Sequence, residues 1–334
     1  MTIINGIEID NIYIRHDEIR DAILNNDPLD NTLHVIMVLS NPCQFARRYI
    51  LAREFIARME QEENITLYIV ELAYGSQKFH ITSPTSKRHL QLHADIPLWH
   101  KENMINIGVR KLLPAGWKAM AWIDADVEFE NPHWATDCLK ILNGCRDIVQ
   151  IFSHAIDMDA KQDAMSIFPS FGYQYSKKRS YGKTGINMWH PGFAWACTRK
   201  AYERMGSLFE QSILGAGDHN MAFSLIGNAR ASLNDAVTAD YKEAVEEFGV
   251  RVRGLRLGYV PGLIRHYFHG SKKNRKYGER WKILVDHAYE PSVHVAARKD
   301  GLLVPSKTCP SAMLEEIMAY FAERNEDEGY SVIM

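Results

Sequence analysis

From Leu33 to Leu39 the chain reads LHVIMVL, a near-continuous apolar run rich in branched side chains, and the turn formers Ser40, Asn41 and Pro42 end it. A run this short, without polar alternation, predicts a strand buried on both faces. Phe45, Tyr49, Ala52, Ile56 and Met59 then recur at helical spacing with Arg47, Arg48, Arg53 and Glu54 among them, which predicts an amphipathic helix. Ile65 to Leu72 (ITLYIVEL) returns to strand character. Strand, helix, strand is a βαβ unit, whose two strands should be parallel and whose crossover should be right-handed. A helix over about Lys101 to Leu113 and a strand over Lys118 to Asp124 (KAMAWID) repeat the alternation. The first half therefore predicts a doubly wound α/β arrangement.

The second half has a different texture. Ser166 to Gly185 mixes aromatics, glycines and the basic cluster Lys177, Lys178, Arg179 without a period, and reads as a functional loop. Pro191 to Thr198 predicts a strand, Asp218 to Ile226 a helix and Leu257 to His269 a further strand-like stretch. After Pro310, Leu314, Ile317, Met318 and Phe321 share one helical face. No internal repeat or low-complexity linker interrupts the chain. With 39 Lys+Arg against 41 Asp+Glu, a net charge of −2 and 46% hydrophobic residues in 334, the composition excludes a basic nucleic-acid coat, an acidic tail protein and a disordered chain. No uncharged apolar run approaches the roughly 18 residues that span a bilayer, and the opening MTIINGIEID lacks a signal pattern, so a soluble, cytoplasmic protein is expected. The five cysteines are scattered without a C-x-x-C pair, which reads as buried thiols and not as a disulfide or zinc framework.

The most informative stretch is AWIDADVEF, residues 121–129, where an apolar strand runs directly into Asp124, Ala125 and Asp126. In an open α/β sheet the carboxyl ends of the strands are where ligands bind. Alternation sends both carboxylates to one side, where they repel unless a cation neutralises them, and hard oxygen ligands suit Mg²⁺ or Mn²⁺. The competing reading is a pair of solvated loop aspartates. Further along, Gly215-Ala216-Gly217-Asp218 opens an apolar helix, which makes Asp218 either a carboxylate held close to a ligand or simply an N-cap. Arg265-His266-Tyr267-Phe268-His269-Gly270 is followed by Lys272, Lys273, Arg275 and Lys276. An imidazole there could complete a coordination sphere, and the cations could neutralise a diphosphate, although a solvated basic loop is the commoner outcome. Gly182-Lys183-Thr184 resembles the end of a phosphate-binding loop, but the glycine that such a loop needs upstream is Lys177 here.

Taken in order, Asp124-Ala125-Asp126, then His190-Pro191-Gly192-Phe193-Ala194-Trp195-Ala196, then Gly217-Asp218, then His269-Gly270 resemble nucleotide-sugar glycosyltransferases of the GT-A fold over roughly residues 33–285. The resemblance implies a GT-A-like, Rossmann-type doubly wound, mostly parallel sheet with helices on both faces and a C-terminal acceptor-side region. Its divisions are a lead-in at 1–32, a nucleotide-sugar-binding half at 33–152, an acceptor and catalytic half at 153–285 and a helical extension at 286–334. It implies a divalent Mn²⁺ or Mg²⁺ held by Asp124, Asp126 and His269, with His266 a rival to His269, and Asp218 as the catalytic carboxylate. Asp124 would share the metal or contact the ribose. Donor contacts would come from Ser40, Asn41 and Glu71 at the first two strand ends and from the helix start Trp99-His100-Lys101-Glu102-Asn103, with Asn106. Gly192, Lys272, Lys273 and Arg275 would complete them. The implied reaction moves a sugar from a nucleotide diphosphate sugar, uridine-based by the same resemblance, to an acceptor hydroxyl. A narrower resemblance to enzymes that glycosylate hydroxymethylated DNA bases would use the two basic clusters as a positive rim, with Phe171, Tyr173, Tyr175 and Tyr181 as stacking faces. A soluble glycan or protein hydroxyl is the other acceptor class. A sugar nucleotidyltransferase and a non-catalytic nucleotide-sugar or glycan-binding module are the alternatives. The first usually carries a Gly-rich turn where this chain has Ser-Asn-Pro-Cys, and the second would be expected to lose one of the paired carboxylates.

Overall fold

The computed structural model describes residues 2–4, 7–9, 31–143, 145–182 and 187–329. Strands β1 (Thr2–Ile4) and β2 (Ile7–Ile9) form a hairpin. The chain then runs β3 (Leu33–Ser40), α1 (Ala46–Met59), β4 (Ile65–Tyr74), β5 (His89–Ala94), α2 (Lys101–Leu112), β6 (Ala119–Ile123) and β7 (Val127–Phe129). It continues with α3 (Trp134–Leu142), β8 (Ile148–Gln150), β9 (His154–Met158), β10 (Ala164–Pro169), α4 (Phe171–Ser176), β11 (Ala194–Thr198), α5 (Arg199–Met205) and α6 (Gly217–Leu225). The last elements are α7 (Ala239–Val252), β12 (Leu257–Tyr259), β13 (Leu263–His266), α8 (Tyr277–Asp286), α9 (Pro291–His294), the hairpin β14 (Val295–Ala297) and β15 (Leu303–Pro305), and α10 (Ser311–Glu323).

The protein is a mixed α/β structure whose central sheet has the order β12-β8-β11-β6-β3-β4-β5. Every neighbouring pair in it is parallel except those made by β11, which runs against both β6 and β8. Alternation along β3 explains its unbroken apolar run. Leu33, Val35, Met37 and Leu39 join one buried cluster with Phe55 of α1 and Trp134 of α3, while Ile36 joins the opposite cluster with Met104 and Ile107 of α2. Both faces of the sheet are thus covered by helices, which is why the strand needs no polar face.

A second sheet of four strands, ordered β10-β9-β13-β7, positions the site. Three times the chain leaves the central sheet and enters this one after a short link: from β6 to β7, from β8 to β9 and from β12 to β13. Two sequence expectations are corrected here. Leu257 to His269 is not one strand, because Gly262 adopts φ +146° between β12 and β13 and turns the chain from one sheet to the other. Ser166 to Gly185 is not one long loop. It completes β10 and then forms α4, whose N-cap Ser170 accepts the Tyr173 N–H at 3.1 Å and whose Phe171 is fully buried against Trp189 and Phe223. Lys183 and Thr184 of the discarded phosphate-loop motif lie outside the described residues. Cys138, Cys145 and Cys197 are buried, whereas Cys43 and Cys309 are half-buried. No helix among the described residues is long and apolar enough to cross a membrane.

Candidate active site

A cleft of about 390 Å³ opens where β3 and β6 end, with Ser40, Asn41, Asp124 and Asp126 among the residues that line it. Asp126 is the last residue before β7, and antiparallel pairing sets Val127 opposite His266 on β13. The Tyr267 N–H donates to the Asp126 carbonyl at 2.7 Å and locks that register. Register thus brings Asp126 and His266 together, and His269 follows one short turn later. Ligand atoms of Asp126, His266 and His269 all lie within 4.8 Å of one another.

Imidazole tautomers follow from the partners. His266 Nδ1 lies 2.7 Å from Asp157 Oδ1, and a carboxylate accepts only, so Nδ1 carries the proton and Nε2 presents its lone pair toward Asp126 Oδ2 at 3.8 Å. Parallel register of His266 against Asp157 on β9 makes that pair. His269 Nε2 lies 2.8 Å from the Arg275 donor and 2.9 Å from the Asp126 Oδ2 acceptor. His266 Nε2 and Asp126 Oδ1 are buried and meet no hydrogen-bond partner. Burial opposes ionisation of Asp126, but the His266 and His269 rings and Arg275 outweigh it and hold the carboxyl below the ordinary carboxylate range. Burial keeps the His266 imidazole below its usual pKa. Two imidazole nitrogens and a carboxylate, converging beside atoms without hydrogen-bond partners, can hold a metal ion.

Asp124 lies outside this cluster. Its carboxylate pairs with Lys101 Nζ at 2.7 Å, and the same ammonium reaches Asp218 Oδ2 at 3.1 Å. Lys101 opens α2, where the helix dipole disfavours a cation, so the two carboxylates supply the compensation. Asp218 is not the N-cap of α6. Ala216 holds that position at φ +81°, without a side-chain cap, and the Asp218 carboxylate turns to Lys101 instead. A second left-handed residue, Phe193 at φ +83°, stacks between His190 and His266 and carries the cleft-lining Gly192 beside it. Non-glycine residues in this region cost of order 1–3 kcal/mol and collect at functional sites. A Cβ on Gly192 would come within 3.0 Å of His190 and 3.6 Å of Asp218.

Glu102, next to Lys101, also lines the cleft and is 5% exposed. Gly217 leaves room for it, since a Cβ there would sit 2.4 Å from the Glu102 carboxyl. Burial and the charge of Asp218 push the Glu102 pKa up to about 8, with Lys101 opposing them. Asp124 is raised to about 6, by burial and by Asp126 and Asp218, with Lys101 again opposing. The native protein therefore keeps the Glu102 proton to about pH 8, while the unfolded chain releases it near 4.5. Native protein binds more protons across that window, so the Glu102 contribution makes stability fall as pH rises through it. Glu102→Gln is expected to flatten that fall in urea unfolding measured at about pH 5 and about pH 8. A loss equal to that of the original protein would refute the assignment.

The remaining expected donor contacts are placed as follows. Ser40 Oγ lies 2.7 Å from the Tyr74 hydroxyl, and that hydroxyl lies 3.2 Å from His100 Nδ1. Asn41 spends its amide on Phe45, donating to the carbonyl at 2.9 Å and accepting the N–H at 3.0 Å. Glu71 is not among the residues lining the cleft: its carboxylate accepts the N–H groups of His80, Ile81 and Thr82 and the Thr82 hydroxyl at 2.6 Å, and so clasps that loop. Asn103 and Asn106 also turn away and tie α2 to Glu210, Leu208, Gly301 and Leu303. Arg275 lines the cleft, but Lys272 pairs with Asp157 at 2.5 Å and Lys273 with Glu328 at 3.7 Å. Lys276 pairs with Glu323 at 2.9 Å, so this basic run is offset by acids. Tyr173 packs on His154 and Tyr259, leaving Tyr175 and Tyr181 as the exposed rings of the first cluster. Glu102 belongs to the helix start expected to contact the donor, whereas Arg48, Arg324 and Glu326 also line the cleft without any sequence signal, because a lone charge on a helix or in a polar tail carries no local pattern.

No family model and no curated protein matches the chain. Among solved structures it is similar to the catalytic domain of Drosophila beta1,4-galactosyltransferase 7 in complex with xylobiose, at 11% identity and a TM-score of 0.37, covering 86% of this chain and 98% of that one. A mutant of that enzyme in complex with manganese, UDP-Gal and xylobiose gives 11% identity and a TM-score of 0.38 over the same shares, 86% and 98%. The 4-diphosphocytidyl-2C-methyl-D-erythritol synthase of Anaerococcus prevotii gives 9% identity and a TM-score of 0.32, covering 88% of this chain and 96% of that one. Likeness at this level leaves the chemistry to be argued from the side chains.

Proposed function

We propose that this protein is a metal-dependent glycosyltransferase that moves a sugar from a nucleotide diphosphate sugar to an acceptor hydroxyl. The observation that carries the reading is the convergence of Asp126, His266 and His269 in the same cleft as Lys101, Arg275 and Asp218. A divalent cation on the three ligands would supply charge stabilisation to the departing diphosphate. Arg275 beside His269 adds a guanidinium suited to the same phosphates. Lys101 holds Asp124 and Asp218 in one arrangement, and Asp218 accepts the proton of the attacking hydroxyl. The cleft is also lined by Phe45, Trp99 and Phe321, which offer ring faces to a nucleobase, taken as uracil by the family resemblance. The division into a nucleotide-sugar half at 33–152, an acceptor half at 153–285 and a helical extension belongs to the same proposal. With the second basic run offset by acids, we take the acceptor to be a glycan or protein hydroxyl and not DNA.

Incubation with UDP-, GDP- and ADP-sugars in Mn²⁺ tests this. Slow, chelator-sensitive release of UDP is the expected result, together with calorimetric binding of UDP tighter than that of GDP. Tighter GDP binding would overturn the base assignment, and release that persists in chelator would overturn the metal. Pyrophosphate formed from UTP and a sugar phosphate would favour a nucleotidyltransferase. Metal-dependent binding without any turnover would favour a binding module.

A further inference from the structure

After α10 the chain turns back across the site, and residues 324–329 are keyed to it at three points. Asp327 supplies the missing cap of α1, accepting the N–H groups of Ala46 at 3.0 Å and Arg47 at 2.8 Å. Phe45, at the N-cap position itself, offers no side-chain cap. Glu328 accepts from Asn274 Nδ2 at 2.6 Å. Gly270, at φ +86°, lets the segment pass, because a Cβ there would lie 2.9 Å from the Asn325 carbonyl. Between these anchors Glu326 is 1% exposed. Its carboxylate is held by Arg48 Nη2 at 2.7 Å, by Arg324 Nε at 2.6 Å and by Arg48 Nε, and Oε2 faces His269 Nδ1 at 3.5 Å.

Nδ1 of His269 thus faces Glu326, and Nε2 faces Arg275 and Asp126. Nε2 lies 2.8 Å from Arg275, which only donates, and 2.9 Å from Asp126 Oδ2, which only accepts, so the Arg275 donor at Nε2 and the Glu326 acceptor at Nδ1 together favour the proton on Nδ1 against the pull of Asp126. His266 has the same arrangement, with Asp157 behind Nδ1. The geometry points to Glu326 as a positioning residue for the metal ligand His269, fixing the tautomer and ring orientation that present Nε2 to the cation. Carboxylates behind metal-bound imidazoles raise ligand basicity, and their loss costs about 10–100-fold in metal affinity. Residues 324–329 are thereby part of the metal centre, although they contribute no ligand to it. The inference rests on the metal reading of the cleft.

The test uses the full chain with ¹⁵N-labelled histidine. In the metal-free protein, long-range ¹H–¹⁵N spectra should show the His269 proton on Nδ1, and a proton on Nε2 would overturn the proposal whatever any variant does. Glu326→Gln should weaken Mn²⁺ affinity about 10–100-fold by calorimetry and disturb the His269 tautomer, whereas Asp327→Asn, which loosens the same segment away from the ring, should stay within about threefold. Unchanged tautomer and affinity in Glu326→Gln, or equal weakening by Asp327→Asn, would reduce Glu326 to a tether and refute the inference. If the original protein binds no divalent cation, the function proposed above falls, while the tautomer measurement still decides the role of Glu326.

Discussion

Asp126→Asn is expected to abolish divalent-cation binding and to lower sugar transfer about a thousandfold or more, since a metal's charge stabilisation amounts to several kcal/mol and each 1.36 kcal/mol is tenfold. Asp126 is the carboxylate of the three-residue cluster, and an amide in its place leaves two imidazoles and no anionic ligand. The fold should survive, because Asp126 Oδ1 meets no hydrogen-bond partner and the amide oxygen can keep the place of Oδ2 beside His269. Thermal unfolding separates the two effects. A cation at 100 times its dissociation constant stabilises the native state by about 2.7 kcal/mol, so Mn²⁺ should raise the melting temperature of the original protein and leave that of the variant unmoved. Equal stabilisation of both by Mn²⁺ would place the metal elsewhere.

Asp218→Asn should lower kcat about 10²–10⁴-fold, the usual contribution of a positioned general base, while donor affinity stays near its original value. The carboxylate stands 3.1 Å from Lys101 and lines the same cleft as Asp126, His266 and His269, at the start of a helix entered through Ala216 in the left-handed region. An enzyme that has lost only its proton acceptor still binds Mn²⁺ and nucleotide diphosphate. Loss of donor binding in step with kcat would show that Asp218 serves to hold Lys101 in place. Calorimetry and steady-state kinetics on one preparation distinguish these outcomes.

Apolar spacing along the chain carried the first half of the fold. The run at Leu33–Leu39, the helical spacing from Phe45 to Met59 and the ITLYIVEL run correspond to β3, α1 and β4, and β3 and β4 pair in parallel. These elements were legible because burial on two sheet faces, or on one helix face, imposes a short local period. AWIDADVEF likewise marked the end of β6, since strand and carboxylates are contiguous there. The partners of those carboxylates were beyond that kind of reading. Asp124 and Asp126 look alike as Asp-x-Asp, yet one ends the central sheet against Lys101 and the other enters the second sheet beside His266. Which is which depends on β7 pairing with β13, a register set by residues far apart in the chain. The same holds for Asp157 behind His266, for Glu326 behind His269 and for Glu71, whose polar promise at a strand end is spent on its neighbouring loop. Local periodicity reports which face of an element is buried. Only tertiary packing, by choosing register and the path of each link between sheets, decided which charged side chains meet, because that depends on distances between segments that no local pattern encodes.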